Sequence, residues 1–330
     1  AGLGVTAGAW ADEEAVVLHE GRIVRRLDAA TGLERWRFPQ QQPVTIHAPS
    51  ERYHGHDQPW RSVTPAGDSV LVVLGDPAAS GRYLFLEEEF EADQLGQECR
   101  LRLACLDAAT GALRWHTGGI DEQHPVLGHR ATGCASPPLV VGNDVYCLFA
   151  RRIGATTFFL ARLDLATGKP LWVAPLAAGE SGRGDDQSLG LDRFTSPYAQ
   201  SIPFGARPAL AGGEVCAVPH AGFAAGVDAR AGAVRWVRAL PRYLLNVVLP
   251  VSEGLNLRNA PLAWGDAWII AAMDSPRLLC VARGSGDLRW QRGETTPADP
   301  PEWRDLLGIA ADERGRPRLR LSGWRPYLMN

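Results

Sequence analysis

Largely apolar runs of five or six residues alternate along this chain with polar turns, a rhythm that predicts short strands rather than helices. Leu101–Leu106, Phe158–Leu163 and Phe223–Val227 are such runs. Each meets an Asp, passes through a turn containing Gly, and resumes as a stretch carrying Trp. The turns read DAATGLERW from Asp28 to Trp36, DAATGALRW from Asp107 to Trp115, DLATGKPLW from Asp164 to Trp172 and DARAGAVRW from Asp228 to Trp236. A weaker copy, ARGSGDLRW, runs from Ala282 to Trp290. In all five copies Gly precedes Trp by four residues, and in four of them Asp precedes Trp by eight. Repetition at fixed spacing identifies a structural unit before any other feature is weighed.

The chemistry of the unit follows from its residues. An Asp carboxylate at a turn accepts hydrogen bonds from backbone N–H groups two or three residues on. Gly32, Gly111, Gly168, Gly232 and Gly286 suit the position that needs positive φ. The strand after each turn carries Trp, which one hairpin cannot bury alone, so each unit requires a neighbour. Stacking such units around an axis gives a β-propeller. Upstream, Pro138 precedes Gly142-Asn143, Pro208 precedes Gly212-Gly213 and Pro261 precedes Gly265-Asp266, each by four residues, while Gly67-Asp68 keeps the turn without the Pro. These marks predict an inner strand, a tight turn and a second strand, at Val70–Leu74, Val145–Phe149, Val215–Val218 and Ala267–Ala271. With the strands flanking the Asp–Gly turn, each repeat has four strands, which is one blade.

The combination resembles the pyrroloquinoline-quinone (PQQ)-type β-propeller repeat, with its tryptophan-docking motif of Ala-x-Asp-x-x-x-Gly-x-x-x-Trp form. Ala104, Ala161 and Ala225 supply an Ala ahead of the turn, three residues before its Asp. The resemblance covers nearly the whole chain and implies an all-β propeller of four-stranded blades. It also resembles two kinds of bacterial protein: quinoprotein dehydrogenases and the propeller lipoprotein of outer-membrane assembly. For function it is permissive, because one fold hosts many activities.

Repeat positions place blades near residues 3–38, 62–117, 135–174, 207–238 and 259–291, with a partial blade at 303–330. The expectation is five complete blades plus part of a sixth. Leu307-Gly308-Ile309-Ala310 echoes Leu3-Gly4-Val5-Thr6, and Gly323–Asn330 matches Gly21–Asp28 in length, which predicts an incomplete ring belonging to a longer chain. The widest interval between motif tryptophans, 79 residues from Trp36 to Trp115, holds the acidic excursion Glu87–Asp93.

Composition narrows the function. The 330 residues carry a net charge of −3, so there is no electrostatic case for nucleic acid, and no apolar run approaches a membrane span. Lys169 is the only lysine. Of the six cysteines, Cys105, Cys147, Cys216 and Cys280 fall in predicted strands as small apolar residues, while Cys99 and Cys134 do not. There is no CxxC pair, and a Cys99–Cys105 disulfide is not indicated.

Three stretches are candidates for chemistry. His54-Gly55-His56-Asp57, with His47 nearby, alternates imidazoles onto one side of an extended chain, which suits zinc or copper. It lies in a polar connection without a clear fourth ligand, so His54, His56 and Asp57 are weak metal candidates beside the reading as a solvated loop. Glu180–Asp186 and Glu87–Asp93 offer carboxylates for calcium or acid–base work, but lack the Asp-x-Asp-x-Asp loop and read as solvated acidic segments. The quinoprotein resemblance implies PQQ over a central Trp, calcium, an Asp base and, in many members, two adjacent cysteines. No adjacent cysteine pair occurs here. An aromatic at a fixed repeat position is core by default, so the motif tryptophans read as cement between blades.

The leading expectation is a non-catalytic scaffold, presenting loops and a central funnel to a protein partner or to the remaining blades of a longer chain, with no PQQ or calcium. The alternative is a fragment of a PQQ- and calcium-dependent dehydrogenase. A metal-dependent hydrolase would rest on the His54–Asp57 loop alone. The resemblance, and nothing in composition, implies a periplasmic or cell-envelope location.

Overall fold

The computed structural model describes residues 8–20, 23–39, 62–74, 101–117, 124–129, 132–153, 155–179, 205–241, 260–272, 275, 277–292, 304–311 and 317–323. These form strands in sequential antiparallel sheets, with no helix among the described residues. The first sheet contains β1 (Gly8–Ala11), β2 (Ala15–Glu20), β3 (Ile23–Asp28) and β4 (Glu34–Phe38). The second contains β5 (Val63–Ala66), β6 (Ser69–Leu74), β7 (Arg102–Asp107) and β8 (Leu113–His116). The third contains β9 (Thr132–Cys134), β10 (Leu139–Val141), β11 (Asp144–Ile153), β12 (Ala155–Asp164) and β13 (Pro170–Gly179). The fourth contains β14 (Ala209–Ala211), β15 (Glu214–Ala217), β16 (Phe223–Asp228) and β17 (Val234–Ala239). The fifth contains β18 (Leu262–Trp264), β19 (Ala267–Ala271), β20 (Leu278–Ala282) and β21 (Leu288–Arg292). β22 (Arg304–Ala311) and β23 (Pro317–Gly323) pair in a sixth sheet.

Burial explains the strand chemistry. The second and third strands of a blade are covered on both faces by neighbouring sheets, so they read as continuous apolar runs rather than alternating ones. All six residues of β6, SVLVVL, are buried, as are Leu103–Leu106 of β7 and all four residues of β15. The fourth strands meet solvent on their outer side and carry arginines, as in LRWH of β8 and LRWQR of β21. First strands of successive sheets lie together: β1 against β5, β5 against β10, and β14 against β18. Outer strands β13 and β17 also meet, and β19 meets β22.

Two features depart from the four-strand expectation. The third sheet has a fifth strand, β9, which pairs with the far half of β11 beyond the reach of three-residue β10. This is feasible because β11, β12 and β13 are ten residues each, longer than their counterparts elsewhere. The motif tryptophans also differ among themselves. All five stand on the outermost strand of their blades, yet Trp36 and Trp236 are buried, whereas Trp115, Trp172 and Trp290 keep part of their surface in water.

Candidate functional site

The repeated Asp–Gly turn is the first piece of organised chemistry. Asp28 Oδ1 accepts from Ala30 N at 3.1 Å, Thr31 N at 2.8 Å and Thr31 Oγ1 at 2.8 Å. Asp107 repeats this with Ala109 and Thr110, Asp164 with Thr167, and Asp228 with Arg230 and Ala231. The Arg before the motif Trp then grips the same carboxylate: Arg35 on Asp28, Arg114 on Asp107 and Arg235 on Asp228. Arg114 also reaches both oxygens of Asp68, at 3.0 and 2.9 Å, so it ties the two turns of blade two together. The Arg35 guanidinium, then Thr31, hold the Asp28 carboxyl well below its ordinary range; Arg114, then Thr110, do the same for Asp107. In blade three Leu171 stands where the Arg would be, and Arg162 pairs with Asp144 instead, at 2.8 and 2.9 Å.

The first three motif Trp residues reach the next blade. Trp36 Nε1 donates to the Ala108 carbonyl at 3.0 Å, Trp115 to Leu165 at 2.8 Å and Trp172 to Ala229 at 3.2 Å. The acceptor is always the residue after the turn Asp of the following blade. The same turn's Gly lies under the indole. A Cβ on Gly111 would come within 2.6 Å of Trp36, on Gly168 within 2.5 Å of Trp115, on Gly232 within 2.7 Å of Trp172 and on Gly286 within 2.7 Å of Trp236. Gly therefore serves two needs, positive φ and contact with an aromatic face. Burying an indole is worth roughly 4–6 kcal/mol as an upper figure, against about 1 kcal/mol for its hydrogen bond. Packing thus supplies the adhesion and the N–H fixes the ring's pose.

The fourth joint breaks the pattern. Ala282 replaces the turn Asp of blade five, leaving the head of the turn without a carboxylate, since Asp287 at its other end accepts from Ser285 Oγ. Glu214, the first residue of β15 in blade four, supplies one. Its Oε2 accepts from Gly284 N at 2.8 Å, the position that the missing Asp would have served. Its Oε1 accepts from Trp236 Nε1 at 3.1 Å and Trp268 Nε1 at 2.7 Å, and Arg235 lies 3.6 Å away. Glu214 is 1% exposed. Gly226, paired with Trp236 across the strands, makes room: a Cβ there would sit 2.1 Å from Trp236 Nε1. Sequence reasoning passed over Glu214, Gly226 and Trp268, although the Ala at 282 was the signal that an outside acceptor was needed.

Strand direction gives the array two unlike faces. In the first, second, fourth and fifth sheets the first-to-second and third-to-fourth connections, and in the third sheet the β10–β11 and β12–β13 connections, lie on one face, and none exceeds five residues. All the Asp–Arg clamps are there. The chain leaves and re-enters the sheets on the other face for its long connections: 39–62, 75–101, 117–131, 180–208 and 240–261. Described histidines gather on that second face. His19 is near the end of β2, His116 ends β8, His124 and His129 lie between β8 and β9, and His220 follows β15 in a left-handed conformation, φ 55°. Arg207, leading into β14, approaches Thr64 Oγ1 of β5 at 3.4 Å, joining blades two and four across the intervening one.

His54, His56 and Asp57, with His47, lie outside the described residues, as do Glu87–Asp93, Glu180–Asp186 and Cys99. Among the described residues no three His, Cys, Asp or Glu side chains converge to hold a metal. The described carboxylates of the docking turns are committed to arginines and backbone, and Glu214 to two indoles. Among them, no helix is long and apolar enough to cross a membrane.

Comparison with known proteins gives the family. No curated protein matches the chain. Among solved structures it resembles BamB from Moraxella catarrhalis, at 16% identity and TM-score 0.51, over 97% of this chain and 76% of that one. It resembles quinohemoprotein alcohol dehydrogenase from Comamonas testosteroni at 15% identity and TM-score 0.52, over 95% of this chain and 45% of that one. A europium-containing methanol dehydrogenase matches at 13% identity and TM-score 0.50, over 95% of this chain and 54% of that one. The chain thus spans about three quarters of the first and about half of each dehydrogenase, and at these identities the likeness is one of fold. A family model described as outer membrane protein assembly factor BamB matches residues 4–193, more than half of the sequence. With its repeats, its sequential blades and this match, the chain belongs to that family of PQQ-like β-propeller proteins.

Proposed function

We propose that this chain is a non-catalytic, protein-binding propeller of the cell envelope, serving outer-membrane protein assembly as its family's description does. It binds a protein partner through the face that bears the long connections. The observation that carries this reading is the asymmetry of the array. One face is closed by short turns whose carboxylates are already engaged. The other gives rise to every long connection and holds the described histidines. Binding residues concentrate on connections held by a rigid scaffold, and at the first four joints between blades an indole is seated on a glycine. Family membership supports the envelope and the protein partner.

The test is chemical cross-linking in envelope fractions of the source cells, followed by purification of the full chain. The reading expects an outer-membrane assembly protein to be joined to it in a saturable way. The quinoprotein reading, which the fold likeness to dehydrogenases favours, makes the opposite forecast. Addition of PQQ and calcium would then give a stoichiometric chromophore and dye-linked alcohol oxidation. That result, without an assembly partner, overturns the binding reading.

A further inference from the structure

Blade three holds two thiols in contact. Cys134 ends β9, Cys147 lies in β11, both are fully buried, and their Sγ atoms are 3.3 Å apart. Cys134 is opposite Phe149 in the pairing of β9 with β11. Cys147 lies two residues from Phe149, so strand alternation puts it on the same face as Cys134. Both thiols donate to the Ser136 carbonyl, at 3.2 and 3.4 Å, and Ser136 Oγ accepts from Leu148 N at 3.0 Å. The other described cysteines, Cys105, Cys216 and Cys280, stand apart in three other blades. The pair also marks a junction: Cys134 N donates to Leu101 O beside blade two, and Ala135 O accepts from Gly205 N ahead of blade four.

We propose that Cys134 and Cys147 are a dithiol–disulfide site, closing under oxidising conditions to staple β9 onto β11. The bond would fix the segment leading into β10, where blades two, three and four meet on the connection face. A disulfide bond is about 2.04 Å long, so closure draws the sulfurs together by about 1.3 Å. The oxidant is a disulfide: a thiol–disulfide oxidoreductase in its oxidised form, or oxidised glutathione. One cysteine thiolate attacks a sulfur of the oxidant, forming a mixed disulfide and releasing one oxidant thiolate. The second cysteine thiolate attacks the Sγ of the first and expels the other. The pair gives up two protons and two electrons, and the oxidant's S–S bond becomes two thiols. Burial, and then the neighbouring Cys147, push the Cys134 thiol well above its ordinary range, which disfavours the attacking thiolate in the folded chain. Closure therefore belongs to folding, before three-residue β9 docks, or to transient opening of that strand.

The test is refolding of the full chain in a mixture of oxidised and reduced glutathione, then alkylation in denaturant without reductant and peptide mapping. A Cys134–Cys147 cross-linked peptide lighter by two hydrogens is expected, with two of the six cysteines protected from alkylation. Reduction should release both and lower the melting temperature, whereas C134S/C147S should melt at the same temperature in either buffer. Recovery of both cysteines as alkylated thiols, or scrambled pairing with other cysteines, overturns the proposal. The mapping uses the unmodified chain, so a variant that fails to fold leaves the conclusion intact.

Discussion

At the scale of single residues, the glycine of each docking turn separates two effects that usually travel together. Gly32 and Gly111 have nearly the same backbone, φ 70° and 73°. Among the described residues nothing lies within 4 Å of a Cβ on Gly32, whereas one on Gly111 would meet the Trp36 ring. G32A should therefore show only the left-handed backbone penalty, roughly 1–2 kcal/mol, and G111A that penalty plus the clash, roughly 2–5 kcal/mol. Denaturant unfolding of both variants checks this, and equal losses would remove Trp36 from the account of Gly111. Glu214 gives a sharper case, because its carboxylate serves three donors at once. E214A leaves two indole N–H groups and one backbone N–H unsatisfied, at a cost of roughly 3–5 kcal/mol. E214Q keeps the shape but turns one acceptor into a donor facing donors, so it should also destabilise. An E214Q protein as stable as the parent would show that the carboxylate charge and its second acceptor are dispensable.

Among elements, the turns and outer strands were legible because their chemistry is local. Asp, the φ-positive Gly and Trp at fixed spacing identified each third strand, turn and fourth strand. The buried second strands were legible from unbroken apolar runs: Val70–Leu74 and Ala267–Ala271 lie within β6 and β19. What stayed hidden depends on partners far apart in sequence. Glu214 meets Trp268 and Gly284 from the next blade, and Cys134 meets Cys147 only because β9 doubles back onto β11. No local pattern encodes either meeting. The turns also set an acid limit. Asp28 and Asp107 have folded pKa values depressed below 3.8, so their contribution is complete above the unfolded value and lost as pH falls through the folded one. Melting temperature should be nearly flat from about pH 7 to 5 and drop below about pH 4. In D107N the neutral-pH stability should be lower and the acid drop shallower; an unchanged acid profile would contradict the role of Asp107. W115A tests the joint itself, with an expected loss of roughly 3–5 kcal/mol, reduced to the degree that this ring is exposed.

For the whole molecule, repetition and specialisation divide between the two faces. Repetition requires the same turn five times, and where Ala282 replaces the turn Asp, a carboxylate from the neighbouring blade serves the turn. Variation in length is confined to the other face, where the strands do not constrain the connections. The propeller class could be read from the sequence because its docking unit is built from neighbours in the chain. The face that bears the long connections could not, because it emerges only when strand direction sorts the connections. Photo-cross-linking by face is the most direct test. A photoreactive residue would replace exposed Ala178 or Arg292 at the strand ends on the connection face, and exposed Ala109 or Ala166 on the turn face. In envelope preparations, cross-links to an outer-membrane assembly protein should come from Ala178 or Arg292 and be absent from Ala109 and Ala166. Capture of that partner from the turn face alone would contradict the account.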